Sequence, residues 1–274
     1  MTDSGPENGA EQAAGRNWSD LAPRVISAIV MAAIGATLIW VGGIWFQLGL
    51  SLIAGGMVWE LSRMQEPGQG GLAAKLAVIA ALTLFAATFM PQWVALVMLV
   101  IPSLAIASLL GQMRPVFIGF AAMIMVAAFA MVRLRVDFGI SWLLWLVAVI
   151  VVTDVAGYFA GRMFGGPKFW PRISPKKTWS GTAAGWVGAA VIGLVFGLVL
   201  GAGAGLVVVS IAVSFASQMG DIAESAIKRR AGVKDSSNLI PGHGGLLDRF
   251  DGMLGGSLFL MLAGPYIGFP PVIG

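Results

Sequence analysis

From residue 24 to residue 271 the chain is a succession of apolar runs, cut at intervals by glycine and proline and almost empty of charge. A run of about 18–25 such residues is the length an α-helix needs to cross the hydrocarbon core of a bilayer. Candidate crossings lie at 24–41, 43–61, 72–90, 92–110, 115–133, 139–162, 182–201, 204–225 and 251–271. The breaks fall at Gly42-Gly43, Pro67-Gly68, Met90-Pro91, Gly111 to Pro115 and Gly165 to Pro175, where glycine and proline stop helices. A composition of 58% hydrophobic and 11% charged residues, with mean hydropathy +0.87, leaves too little polar surface for a water-soluble globule of 274 residues. The sequence therefore predicts an all-α, polytopic integral membrane protein of about nine transmembrane helices. The ninth is the least regular, because Gly264-Pro265 and Pro270-Pro271 leave it short, kinked or partly re-entrant.

Residues 1–20 mix glycine, serine, acids and amides without an apolar run, which predicts a disordered tail and neither a secretory signal nor an Arg-rich transit peptide. Residues 21–274 then form a single transmembrane catalytic domain. Lysine and arginine gather on the cytoplasmic side of membrane proteins. Nine crossings put Arg16, Arg24, Arg63, Lys75, Arg114, Arg162, Lys168, Arg172, Lys176, Lys177, Lys228, Arg229, Arg230, Lys234 and Arg249 on one side, and only Arg133 and Arg135 on the other. The tail and both large basic loops are thus expected in the cytosol. A pI near 9.8 in such a chain points to headgroups or a phosphorylated substrate, not to nucleic acid. The absence of cysteine excludes disulfides, thiolate catalysis and Cys-ligated metals.

Residues 221–251 carry ten charged side chains inside this apolar context, and ionisable groups at a membrane edge are costly enough to mark function. On a helix, Asp221, Glu224, Ser225 and Lys228 share one face. Two carboxylates and a hydroxyl there suit magnesium, which binds through few carboxylates plus substrate phosphates; a plain Glu224–Lys228 salt bridge is the alternative and leaves Asp221 unexplained. Lys234-Asp235 precedes a loop ending Pro241-Gly242-His243-Gly244-Gly245, flexible enough to approach a phosphate closely. Asp248 and Asp251 follow at an expected helix start, flanking Arg249. His243, the sole histidine, rules out a His-based zinc site and reads as a structural or phosphate-contacting residue in preference to a general base.

A second polar stretch places Asp154 and Tyr158 on one helix face, then runs through Arg172, Ser174, Lys176, Lys177 and Thr178. Its lysines and hydroxyls suit phosphate oxygens, with a polybasic lipid-surface anchor as the alternative. No Walker A sequence is present, since Gly166 precedes Pro167. The glycines of the late helices, Gly181 to Gly201, read as packing positions.

The series Ser225, Lys228-Arg229, Lys234-Asp235, Ser237, Ile240-Pro241, His243-Gly244-Gly245-Leu246 and Asp248-Arg249-Phe250-Asp251 resembles the signature of the phosphatidate cytidylyltransferases, the CDP-diacylglycerol synthases. Asp154, Tyr158, Gly161 and the 174–179 stretch resemble the same family, so the detailed likeness spans about residues 150–251. Ser180 departs from it, standing where many relatives have an acid.

The resemblance implies a membrane enzyme that converts CTP and phosphatidate to CDP-diacylglycerol and pyrophosphate, in a bacterial inner membrane and as a homodimer. It implies Mg²⁺, with K⁺ as a second cation. Asp221 and Asp248 are then the best metal ligands, with Glu224, Ser225, Asp251 and Asp154 completing or surrounding the shell. Lys228, Lys234 and Arg249 join the two aspartates as catalytic candidates, while Ser174, Lys176, Lys177, Thr178, Arg229, His243, Gly244 and Gly245 would hold nucleotide and headgroup. The acyl chains must stay in the bilayer, which calls for a laterally open groove between the late helices. A polyprenol kinase-like phosphotransferase and an ion-coupled transporter are the competing readings; a transporter would place its acids near the midplane.

Overall fold

A computed structural model describes residues 7–109 and 115–270, with side chains from residue 22 onward. Arg16 and Arg114 of the charge tally, and the first six residues of the expected tail, fall outside the described residues or side chains. In chain order the elements are α1 (Glu7–Val41), α2 (Gly43–Gln65), α3 (Gly70–Ala87), α4 (Gln92–Met98), α5 (Ile101–Leu109), α6 (Pro115–Phe138), α7 (Ile140–Phe164), β1 (Lys168–Trp170), β2 (Ser174–Thr178), α8 (Trp179–Val199), α9 (Gly205–Ala231) and α10 (Leu247–Ile267). Among the described residues nine segments, counting α4 and α5 as one, are long and apolar enough to cross a membrane. Helices suit that setting because each satisfies its own backbone polar groups where no water is available. The protein is a polytopic membrane protein, and the lipid-facing side chains follow suit: Val187, Val191 and Leu198 stand out from α8, and Trp40 from α1.

Several elements differ from expectation. Helix α1 begins at Glu7, inside the stretch read as a disordered tail, where alanine, glutamate and glutamine are good helix formers. The fourth crossing is two short helices, because Pro102 has no N–H to continue the ladder through Leu99 and Val100. The last helix is continuous through Pro265, which sits in its final turn, and starts four residues earlier than expected. The loop before α8 is an antiparallel hairpin, Lys168 pairing with Thr178 and Trp170 with Ser174, so the fold is helical with one small β-ribbon.

Helices α7, α8, α9 and α10 pack in succession, as do α2 and α3, and α6 joins the two groups through α10 and α2. The core lies along α6 and α7, around Phe117, Phe129 and Trp145. Two contacts at opposite ends of the membrane-crossing part of α1, Ala22–Val41, fix the alternation of the crossings. Near its start, Ser27 Oγ donates to the carbonyl of Pro241 at 2.9 Å. At its far end, the carbonyl of Ile39 accepts from Arg135 Nε at 3.0 Å. Residues 24–27 and the 241–243 loop therefore share one end of the molecule, and Arg135 occupies the other.

Candidate active site

The site begins with two glycines. A Cβ on Gly220 of α9 would collide with the carbonyl of Asp251, and one on Gly255 of α10 with that of Ala216, so these helices touch backbone to backbone. That approach brings Asp221 and Glu224, one turn apart on α9, to Asp251 on α10, with ligand oxygens from all three within 4.8 Å of one another. Glu224 is fully buried. Lys228 Nζ reaches its Oε2 at 2.6 Å, while Oε1 has no hydrogen-bond partner among the described residues. An orphaned carboxylate oxygen in a group of three acids fits a hard cation, because a bound ion satisfies the oxygen and relieves the mutual repulsion. Ser225 Oγ donates to Asp221 at 3.3 Å from behind.

Beside this group, α7, α8, α9 and β2 enclose a cavity of about 470 Å³ whose wall includes Asp154, Tyr158, Arg162, Lys176, Lys177 and Asp221. Lys177 Nζ lies 2.5 Å from Asp221, so the basic ribbon is drawn to the acidic group. Glycine again sets the geometry: Gly157 and Gly181 bring α7 and α8 into backbone contact, and Gly161 leaves room for the Thr178 hydroxyl. Thr178 Oγ1 in turn accepts from Gly181 N and caps α8. Thr178 therefore serves the fold as well as the cavity wall. Ser174 pairs with Trp170 at the turn end of the ribbon, outside the cavity wall. Ser180, in the position of the missing acid, donates to the carbonyl of Gly165.

Asp248, expected with Asp221 as a principal metal ligand, lies one turn before Asp251 on α10 and has its own set of partners. Its Oδ1 takes Lys228 Nζ at 2.6 Å, and its Oδ2 accepts from Ser236 N at 2.9 Å, Ser236 Oγ at 2.8 Å and Gly245 N at 2.8 Å. Oδ2 is filled by the loop between α9 and α10 and Oδ1 is held by Lys228 of α9, and Asp248 is not among the three clustered acids. Lys228, a catalytic candidate, bridges Glu224 and Asp248. The glycine loop is likewise turned inward. The N–H groups of Gly245 and Leu246 donate to Asp248 and to Glu60, and a Cβ on Gly244 would press on Asp248 at 2.6 Å. These glycines wrap protein carboxylates. His243 Nδ1 is 2.8 Å from Ser27 Oγ, a latch to α1. Arg229 Nη1 turns to the carbonyl of Val233 at 3.4 Å, and Lys234 and Arg249 are exposed beside the loop.

Glu60 of α2 is the residue that motif reading missed. It is fully buried and accepts from Ser237 Oγ at 2.6 Å, Leu246 N and Leu247 N at 2.8 Å each, and Ser236 Oγ at 3.1 Å. A carboxylate inside an otherwise apolar crossing is itself a signal of special use. It is the sign by which Glu60 could have been singled out, although no neighbouring motif draws attention to it.

Fold and site together define a polytopic membrane protein with a cation-ready carboxylate group opening onto a basic cavity at one end of its late helices. The chain belongs to the cytidylyltransferase family, whose model matches residues 22–265. It is 36% identical over 278 aligned residues to the phosphatidate cytidylyltransferase of Brucella suis biovar 1, covering 93% of this chain and 97% of that one. The Bacillus subtilis phosphatidate cytidylyltransferase is 40% identical over 121 residues, 43% of this chain and 45% of its own. That of Helicobacter pylori is 39% identical over 137 residues, covering 49% and 51%.

Proposed function

We propose that this chain transfers the cytidylyl group of CTP to phosphatidate, giving CDP-diacylglycerol and pyrophosphate, at the cytosolic face of a bacterial inner membrane. The observation that carries the reading is the juxtaposition of Asp221, Glu224 and Asp251 with the Arg162, Lys176 and Lys177 wall of the cavity, in a chain whose relatives bear that activity in their names. An oxygen of the phosphatidate monoester attacks the α-phosphorus of CTP. The new P–O bond forms as the bond to the β-phosphate bridging oxygen breaks, and the electron pair leaves with pyrophosphate. No protein nucleophile is needed; the work lies in holding two anions together and neutralising the departing charge. Arg162 and Lys176, on the cavity wall, would hold phosphate oxygens, and Lys177 would exchange its contact with Asp221 for one with substrate.

Asp221, Glu224 and Asp251 would hold Mg²⁺, supported by Ser225 and by Asp154 on the cavity wall. When bound, magnesium supplies charge neutralisation to the triphosphate. A K⁺ companion would draw on the remaining oxygens of the same group, the one cluster of three acidic ligands among the described residues. Transport is not favoured, because Glu224 and Asp251 lie toward the ends of α9 and α10 and Lys177 of the basic ribbon reaches Asp221.

The test is purified protein in detergent with labelled CTP, phosphatidate and magnesium. Label entering a chloroform-soluble lipid, and failing to do so when EDTA replaces magnesium, is the expected outcome. No lipid-borne label with magnesium and potassium both present would overturn the assignment.

A further inference from the structure

The four hydrogen bonds to Glu60 come from two separate places, the start of the 236–247 loop at Ser236 and Ser237 and its end at Leu246 and Leu247. All four donors are neutral, and two of them are backbone N–H groups at the start of α10, which have no partner within the helix. One carboxylate therefore closes the loop and caps the helix that carries Asp251. Ser236 Oγ, with a single proton, lies between Glu60 at 3.1 Å and Asp248 at 2.8 Å. From Asp248 the chain of contacts runs through Lys228 to Glu224. Packing leaves the loop little alternative: a Cβ on Gly245 would collide with Ser236 Oγ and Glu60 Oε1 together.

We infer that Glu60 is the positioning residue for the reaction centre: it pins the 236–247 loop to α2 and so sets Asp251 against Asp221 and Glu224. It touches no reacting atom; it acts through α10 on one side and through Asp248 and Lys228 on the other. The inference deepens the proposed cytidylyltransfer and rests on it for its catalytic readout. It assigns the N-terminal half of the chain a defined part in the chemistry.

Glu60→Gln keeps the shape but puts an amide donor where two of the four donors already point. Because groups that orient metal ligands affect metal affinity about 10–100-fold, the magnesium concentration giving half-maximal turnover should rise by roughly tenfold or more. A residue that only stabilised the fold would lower the yield of active protein and leave that midpoint where it was, which would overturn the proposal. A second readout needs no turnover. The chain has no cysteine, so Ile240→Cys, buried in the closed loop, reports loop opening by maleimide labelling. Labelling should be several-fold faster with Glu60→Gln than with Glu60 in place; equal rates sink the idea. Should the wild-type protein make no CDP-lipid, the proposed function falls, and Glu60 is judged on labelling alone. If Glu60→Gln does not fold, Ser237→Ala removes the shortest of the four bonds and should shift both readouts in the same direction, and a null result in both overturns the inference.

Discussion

Asp248 and Asp251 stand one helical turn apart and do opposite things. Asp248 is an acceptor whose oxygens are filled by Lys228, Ser236 and Gly245. Asp251 takes one internal bond, from Gly252 N at 2.7 Å, and otherwise faces two other acids. Removing the charge of Asp248 strips one of the two carboxylate partners from Lys228, and a hydrogen bond to a charged group contributes about 1.5–3 kcal/mol. Removing the charge of Asp251 relieves like-charge repulsion. Asp248→Asn is therefore expected to lower the melting temperature in detergent. Asp251→Asn should leave it unchanged or raise it, while cutting turnover at least about 100-fold through lost charge stabilisation. Thermal unfolding beside a CTP turnover assay checks both; equal losses of stability would show that the division of labour is wrong. The i, i+3, i+4, i+7 spacing of Asp221, Glu224, Ser225 and Lys228 was enough to place them on one face. It carried no information on which aspartate across the helix interface would complete the group, because Asp248 and Asp251 both lie at the start of α10.

Elements meet here at glycine. In an exposed helix, replacing glycine by alanine stabilises by about 0.5–1 kcal/mol, since glycine loses more backbone freedom on folding. Gly35 in α1, with nothing within 4 Å of an added Cβ, should behave that way. Gly255 should not, because its Cβ has no room against Ala216; overpacking costs about 1–3 kcal/mol. Gly35→Ala and Gly255→Ala are thus expected to shift the unfolding midpoint in opposite directions, and the second to lower turnover by separating Asp251 from α9. A common sign for the two would argue against the close α9–α10 approach. Hydropathy and proline placed the crossings well, yet not the ribbon at 168–178, whose strands are three and five residues long and owe their form to pairing with each other.

At the scale of the molecule the crossings alternate so that the acidic group, the basic ribbon and the 241–243 loop share one end, with Arg135 at the other. The proposed orientation puts the first end in the cytosol. In whole cells, a membrane-impermeant maleimide should label Gln92→Cys, at the exposed start of α4, and spare Leu239→Cys until the membrane is opened. The reverse pattern would invert the topology and remove the site from its cytosolic nucleotide. Hydropathy, charge asymmetry and residue spacing are properties of neighbours along the chain. They are therefore sufficient for the nine crossing-length segments among the described residues and for the helix face bearing Asp221 and Glu224. Glu60 meets Leu247 across 187 positions, and Asp251 meets Asp221 where Gly220 and Gly255 let two backbones touch. Contacts of that kind exist only once helices have packed, since which buried carboxylate finds which donor depends on the register of one helix against another.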